Sequence, residues 1–438
     1  MSCEPTSWTA QDGELRPPPP SPAPDVTDVT SGAVVGRECR PEMTETEGAH
    51  AVSNVGREPA DSPVTGTATR PRDEPEDGIA LCLSGGGYRA MLFHVGALWR
   101  LNELGYLPQL RRVSSVSGGS ITSAVLGVRW GSLDFRDGVA QAFRALVVDP
   151  VRALAGRTID KPSVLGGLLT PGTSIGDKIA DAYRAQLFGD ATLQDLPPEP
   201  APLFVINATN VQTGSLWRFS RAYMGDYRIG LVDTPDVSLA VAVAASSAFP
   251  PVLSPVRVTV DPRRFAPTPV GELRMEPYTS DVVLSDGGVY DNLGLETAWK
   301  RYWTVLVSDG GGHMSPDPKP ARDWARHAIR INALIDNQVR SLRKRQLIDG
   351  YAAPRRTGAY WGIRSHVADY GPVPQSLACP PERTQVLAER KTRLAAMDDG
   401  LQARLINWGY AICDVAVRRW MTDAPSPAPA FPYPDGVG

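Results

Sequence analysis

Three glycine-rich turns carry the side chains of this 438-residue chain that could do covalent chemistry: Ser84-Gly85-Gly86-Gly87, Ser115-Val116-Ser117-Gly118-Gly119 and Ser285-Asp286-Gly287-Gly288. In the first, consecutive glycines between an apolar run and a helical pattern free several backbone N–H groups, and the helix dipole adds partial positive charge. Gly85, Gly86 and Gly87 therefore suit an anion, either a phosphate or an oxyanion. The turn lacks the Lys and Ser/Thr of a P-loop and the G-x-G-x-x-G spacing of a dinucleotide site. The second turn puts Ser117 where a strand is expected to meet a helix, as in a nucleophile elbow, and the N–H of Gly118 follows it as an oxyanion donor. Ser115 stands where that motif usually has glycine. Taken alone, the same residues also fit a helix start with Ser117 as N-cap. Ser114, Ser115 and Ser120 rank lower as nucleophiles because only Ser117 precedes the glycine pair.

A serine nucleophile needs a base. The chain has five histidines, His50, His94, His313, His327 and His366. His94 falls inside a helical pattern, whereas His313 follows Gly310 to Gly312 and completes a Ser117, Asp286, His313 order like that of an α/β-hydrolase triad. Asp286 and Asp309 each end an expected strand and precede glycines, and either carboxylate could take the serine proton if partly desolvated. Both also suit ordinary turn chemistry. From the residues alone the base is therefore Asp286, Asp309 or His313.

The elements that must hold these turns follow from periodicity. Ile79 to Leu83 is a short apolar run ending in the first glycines, and Arg89 to Leu104 carries a helical pattern stopped by Gly105. The segment Val113 to Val116 leads into Ser117, and Ile121 to Trp130 continues as helix. Further strands are expected at Leu203 to Asn207, Val282 to Leu284 and Thr304 to Val307, with helices between them. The alternation predicts an α/β fold with a largely parallel sheet covered by helices on both faces. The Gly- and Leu-rich stretch Leu165 to Gly172 and a helix at Ile175 to Leu187 could cover a site. A long amphipathic helix is expected over Arg322 to Ile348, with Trp324, Ile331, Leu334, Ile335, Val339 and Leu342 near one face and Arg340, Arg343, Lys344 and Arg345 at its end. Helices near Glu382 to Met397 and Leu401 to Met421 follow.

Taken together, three blocks resemble the signature of patatin-like phospholipases in the family's order: Ser84-Gly85-Gly86-Gly87-Tyr88-Arg89-Ala90, Val116-Ser117-Gly118-Gly119 and Asp286-Gly287-Gly288-Val289-Tyr290-Asp291-Asn292. Asn207 to Asn210 with Thr213-Gly214, and Ala244-Ala245-Ser246-Ser247-Ala248-Phe249-Pro250-Pro251, are similar to further family segments. The resemblance implies a three-layer α/β/α fold and a Ser117-Asp286 dyad that needs no histidine. It makes the glycines of the first turn and Gly118 the oxyanion hole, with Arg89 bracing that loop and Gly119, Gly287 and Gly288 in support. It implies a phospholipid or other acyl-ester lipid as substrate, no cofactor and no metal. A non-catalytic or anion- or nucleotide-binding relative is the alternative from another class, and a Ser-Asp-His triad esterase using His313 is the alternative within the hydrolases.

Composition bounds the remainder. The 42% hydrophobic and 21% charged chain has ordinary globular texture. Residues 1 to 78 hold 15 Asp and Glu against 6 Lys and Arg, leaving the rest at a net of +6, too thinly spread for a nucleic-acid footprint. The five cysteines show no metal or disulfide spacing, there is no secretory leader pattern, and no apolar run could span a bilayer, so a cytoplasmic protein with at most peripheral membrane contact is expected. The expected organisation is a disordered acidic Pro-rich tail at 1–77, a catalytic core at 78–315, a helical C-terminal extension packed on it at 316–422 and a disordered tail at 423–438. Oligomeric state is not legible in the sequence.

Overall fold

The computed structural model describes residues 75–160, 174–266, 271–353, 355–421, 428 and 430–438. The expected N-terminal tail and the stretch Leu165 to Gly172 lie almost wholly or wholly outside these residues.

The chain enters the fold through β1 (Glu76–Leu83), the glycine turn and α1 (Gly87–Glu103), then repeats the pattern with β2 (Leu110–Val116), Ser117 and α2 (Gly118–Arg129). Strand β3 (Leu203–Asn210) follows and is extended by an antiparallel meander, β4 (Ser215–Phe219), β5 (Tyr223–Asp226) and β6 (Gly230–Asp233). Next come α3 (Leu239–Ser246), β7 (Val256–Thr259), the short β8 (Phe265–Ala266), β9 (Asp281–Asp286) and β10 (Tyr302–Asp309). The long α4 (Trp324–Ala352), β11 (Thr357–Gly362) and α5 (Asp399–Trp420) complete the major elements.

These eleven strands form one sheet in the order β8-β6-β5-β4-β3-β2-β1-β10-β11, with β9 pairing β3 and β7, and a separate ribbon pairs Phe135–Arg136 with Val139–Ala140. Its centre, β3-β2-β1-β10-β11, is parallel. Period-two burial explains why this centre is a middle layer. Along β1, Leu81 and Leu83 pack into one core while Ala80 and Cys82 pack into another, and in β10 Leu306 and its neighbours Val305 and Val307 divide the same way. Both faces are therefore covered, which gives the expected α/β/α layering.

Three expectations change. The sheet extends past residue 315, because β11 joins its edge beside β10; Thr357-Gly-Ala-Tyr-Trp-Gly362 has two glycines in six residues and offers little strand signal. The end of the chain, expected as a tail from 423, folds back: the Asn407 side chain donates to the carbonyls of Tyr433 (2.8 Å) and Gly436 (2.7 Å), and Val437 is buried. The helix expected at Glu382 to Met397 is confined to Pro381–Ala388.

Helix α5 is the main cover of α1. A Cβ on Gly96 would fall 1.9 Å from the Ile406 carbonyl oxygen, and one on Gly409 would fall 1.9 Å from that of Phe93, so only glycines let the two backbones cross this closely. No helix among the described residues is long and apolar enough to cross a membrane.

Candidate active site

The parallel strands end side by side. Leu83 is level with Ser115 and with Ser308, and Val116 is level with Asn207, so the turns after β1, β2 and β10 meet at one sheet edge. This is where an open α/β sheet places its site. Asp286 arrives differently. Its strand β9 runs antiparallel to β3, with Asp286 opposite Ala208, and so it reaches the same edge from the far side.

Ser117 sits between β2 and α2 with φ 52° and ψ −119°, a left-handed conformation that a non-glycine residue holds only under constraint. The constraint is visible: the Ser117 N–H donates to Ser246 Oγ (3.0 Å), which itself donates to the Asn207 carbonyl (2.6 Å) and bonds Ser120 Oγ (2.9 Å). Ser115, the departure from the usual elbow, fits this network by donating to the Val205 carbonyl (3.3 Å) and accepting from Ser120 (3.1 Å). Ser246 ends α3, within the Ala244 to Pro251 segment whose likeness was legible but whose contact with the elbow was not.

The glycine turns interlock. A Cβ on Gly118 would fall 2.2 Å from the Gly87 carbonyl oxygen, and one on Gly119 would fall 2.4 Å from that of Leu83. Gly86 (φ 145°) and Gly87 (φ 61°) are left-handed. The N–H groups of Gly86, Gly87 and Gly118 have no acceptor among the described residues. Gly85 differs from the expectation that it would be a donor: its N–H is spent on the Asn292 carbonyl (3.0 Å), which removes it from the set. Arg89 is buried and donates to the Gly310 carbonyl through Nε (3.3 Å) and a terminal nitrogen (3.0 Å), with the other terminal nitrogen reaching the carbonyls of Ala388 and Arg390. Because the Gly310 carbonyl lies against Gly86, Arg89 braces the first turn indirectly.

The two carboxylates occupy opposite electrostatic environments. Burial pushes the Asp286 carboxyl up to about 7, against the counter-pull of the Gly288 N–H and the Ser117 hydroxyl, and the charge of Asp336 adds to the rise. Gly288 N–H donates to Asp286 Oδ1 at 2.7 Å, while Oδ2 has no hydrogen-bond partner among the described residues. Ser117 is thus close enough to perturb this carboxyl without closing a full hydrogen bond on it, a spacing common in unliganded sites. A Cβ on Gly287 would fall 2.4 Å from the Asn207 carbonyl oxygen, which explains the glycine after Asp286. Asp309 is also buried, yet its ion pair with Lys344 (2.5 Å), the Gly311 N–H (2.9 Å) and the Tyr360 hydroxyl (2.9 Å) hold it well below the usual carboxylate range. It is a spent anion.

The histidines separate as clearly. Burial pushes His94 down to about 4, and its two ring nitrogens bond Ser308 Oγ (2.8 Å) and the Ser84 carbonyl (2.9 Å), so it packs beneath the first turn as a neutral ring. His313 is exposed and makes no hydrogen bond to Ser117 or Asp286. It lines an open cavity of about 120 Å³ with Arg340, Lys344 and Arg364, and partial burial together with those cations lowers its pKa.

A family model described as Patatin-like phospholipase matches residues 81–299, half of the chain. No curated protein matches. Among solved structures the chain is similar to human GIVD cytosolic phospholipase A2, with a TM-score of 0.49 and 14% identity over 78% of this chain. It is also similar to VipD from Legionella pneumophila, with a TM-score of 0.30 and 15% identity over 77% of this chain and 66% of that one. The chain spans 59% of the human enzyme's length. The matched span runs from inside β1 to beyond Asn292 and so contains the elbow, the first glycine turn and the Asp286 turn. The chain belongs to the patatin-like phospholipase family.

Proposed function

We propose that the protein is a serine hydrolase of phospholipids or other acyl-ester lipids, with Ser117 as nucleophile and Asp286 as its only general base. One observation carries the reading: a serine held at a strained elbow adjoins a buried carboxyl held near neutrality with one oxygen unpartnered, while Asp309 is locked by Lys344 and His313 bonds neither residue.

In this scheme Asp286 takes the hydroxyl proton as Ser117 Oγ attacks the acyl carbonyl carbon. The carbonyl oxygen becomes an oxyanion, and the N–H groups of Gly86, Gly87 and Gly118 stabilise it. The tetrahedral intermediate collapses, the ester C–O bond breaks, and the leaving alcohol takes the proton from Asp286. Water then attacks the acyl-Ser117 carbonyl, giving its proton to Asp286, which returns it to Ser117 as the free acid departs. Burial serves this cycle because a carboxylate near its own pKa at neutral pH can both accept and return a proton.

The test is fluorophosphonate labelling of wild type, Ser117→Ala and Asp286→Asn, with peptide mapping and a soluble short-chain ester assay. Labelling at Ser117 and loss of turnover in both variants is expected. Labelling at another serine, or full turnover in Ser117→Ala, overturns the assignment. His313→Ala should keep turnover within a few-fold of wild type, and a loss of several orders of magnitude would replace the dyad by a triad.

A further inference from the structure

Helix α4 is amphipathic in the inverse sense. The side toward the protein is largely ionic: Arg343 pairs with Glu296 (3.0 Å) and Asp291 (3.6 Å), Lys344 pairs with Asp309 (2.5 Å), and Arg340 donates to the Gly312 carbonyl (2.5 Å). Leu347 is the only large apolar side chain of the helix that is buried. On the other side Trp324, Ile331, Leu334, Ile335, Val339 and Leu342 are exposed, from 36% at Val339 to 85% at Trp324. At 100° per residue these six fall within an arc of about 140°. They form a continuous apolar stripe, and a stripe of this kind marks an interaction surface.

Its position and charge point to what covers it. The helix runs beside the Asp286 turn: Arg343 lies 5.9 Å over the Tyr290 ring, and the charge of Asp336 reaches Asp286. The loops next to Asp286 add exposed apolar side chains of their own, Phe249 at 57% and Val289 at 55%, with Asp286 N–H bonded to the Ala248 carbonyl (3.0 Å). Of the six Arg and Lys on the helix, Arg326, Arg340, Arg343 and Lys344 pair with carboxylates, and Arg330 and Arg345 pair with none among the described residues. An apolar stripe headed by a tryptophan, with Arg330 and Arg345 beside it, is suited to an anionic lipid surface, where the apolar side chains enter the acyl boundary and these two cations meet head groups. A second copy of the helix would set like charges against one another.

We propose that α4 is the surface by which the protein rests on an anionic bilayer, placing the Ser117 and Asp286 edge of the sheet against the lipid. The choice of lipid over a protein partner rests on the lipid-hydrolase reading.

The experiment is co-sedimentation of the full chain with phosphatidylcholine vesicles, with and without phosphatidylserine, for wild type, Ile331→Ser/Ile335→Ser/Leu342→Ser and Trp324→Phe. Wild type should sediment with the anionic vesicles only. The triple variant, altered at exposed positions, should bind at least about tenfold more weakly while hydrolysing a soluble short-chain ester at the wild-type rate. Vesicles should also shift the tryptophan emission to the blue in wild type and less in Trp324→Phe. Absence of sedimentation, or equal sedimentation of the triple variant, overturns the proposal, as does a dimer in light scattering that the triple variant abolishes in the absence of vesicle binding. Loss of soluble-ester turnover in wild type would instead strike the hydrolase reading, and is read in a separate assay.

Discussion

At the scale of single residues, Asp286 and Ser117 each store a cost that the proposed chemistry would use. The acid limb of kcat/KM should fall near pH 7, with activity rising as pH increases, because the base acts as its anion and burial holds that carboxyl at about 7. A limb near pH 4 would remove Asp286 as base. Stability runs the other way. Its folded pKa lies above the ordinary 3.8, so its contribution is fully present below pH 3.8 and is lost as pH rises through about 7. Asp286→Asn, which mimics the neutral acid, should gain Tm over wild type between pH 5 and pH 8, and a constant Tm difference would refute the shift. Ser117 holds φ 52°. Ser117→Gly should therefore be more stable than Ser117→Ala by about 1 kcal/mol in chemical denaturation, although both lack the proposed nucleophile.

At the scale of elements, strand-turn-helix units deliver the proposed nucleophile and oxyanion donors, and their fit depends on glycines that face backbone, not side chains. Gly118→Ala would drive a Cβ to 2.2 Å from the Gly87 carbonyl oxygen, and neither backbone can yield without parting the two turns. This variant should lose about 10²- to 10³-fold in kcat, the usual cost of a lost oxyanion donor, together with some stability. Gly131→Ala, where a Cβ would meet nothing within 4 Å, should leave both unchanged and serves as the control. The sequence reveals these units because they are local: an apolar run, a glycine turn and a helical period lie within a few residues of one another. It does not reveal that β9 is antiparallel to β3, since strand direction is settled by pairing partners far apart in the chain.

For the whole molecule, α5 is structural core although it lies outside the span matched by the family model. Its Asp414 accepts from Arg100 Nε (2.8 Å) on α1 and from Arg418 (3.0 Å) on α5, with all three side chains at most 4% exposed. Asp414→Ala leaves two buried guanidinium groups short of their counter-charge and should cost about 3–5 kcal/mol of unfolding free energy in urea titration. Removing one partner of the exposed Arg184 and Asp181 pair should cost under about 1 kcal/mol. What the amino-acid sequence by itself determined was local and compositional: Ser117 in its elbow, the free N–H groups of Gly86 and Gly87, and the order of the glycine blocks along an α/β chain. Only the tertiary structure separates the candidate bases, because a carboxyl's pKa depends on what surrounds it. Lys344 and Tyr360 reach Asp309 from distant segments, whereas Asp286 is buried with one oxygen left unpaired. The same reason withdrew Gly85, whose N–H meets Asn292, and turned the apolar stripe of α4 outward, where periodicity gives a face but not what lies against it.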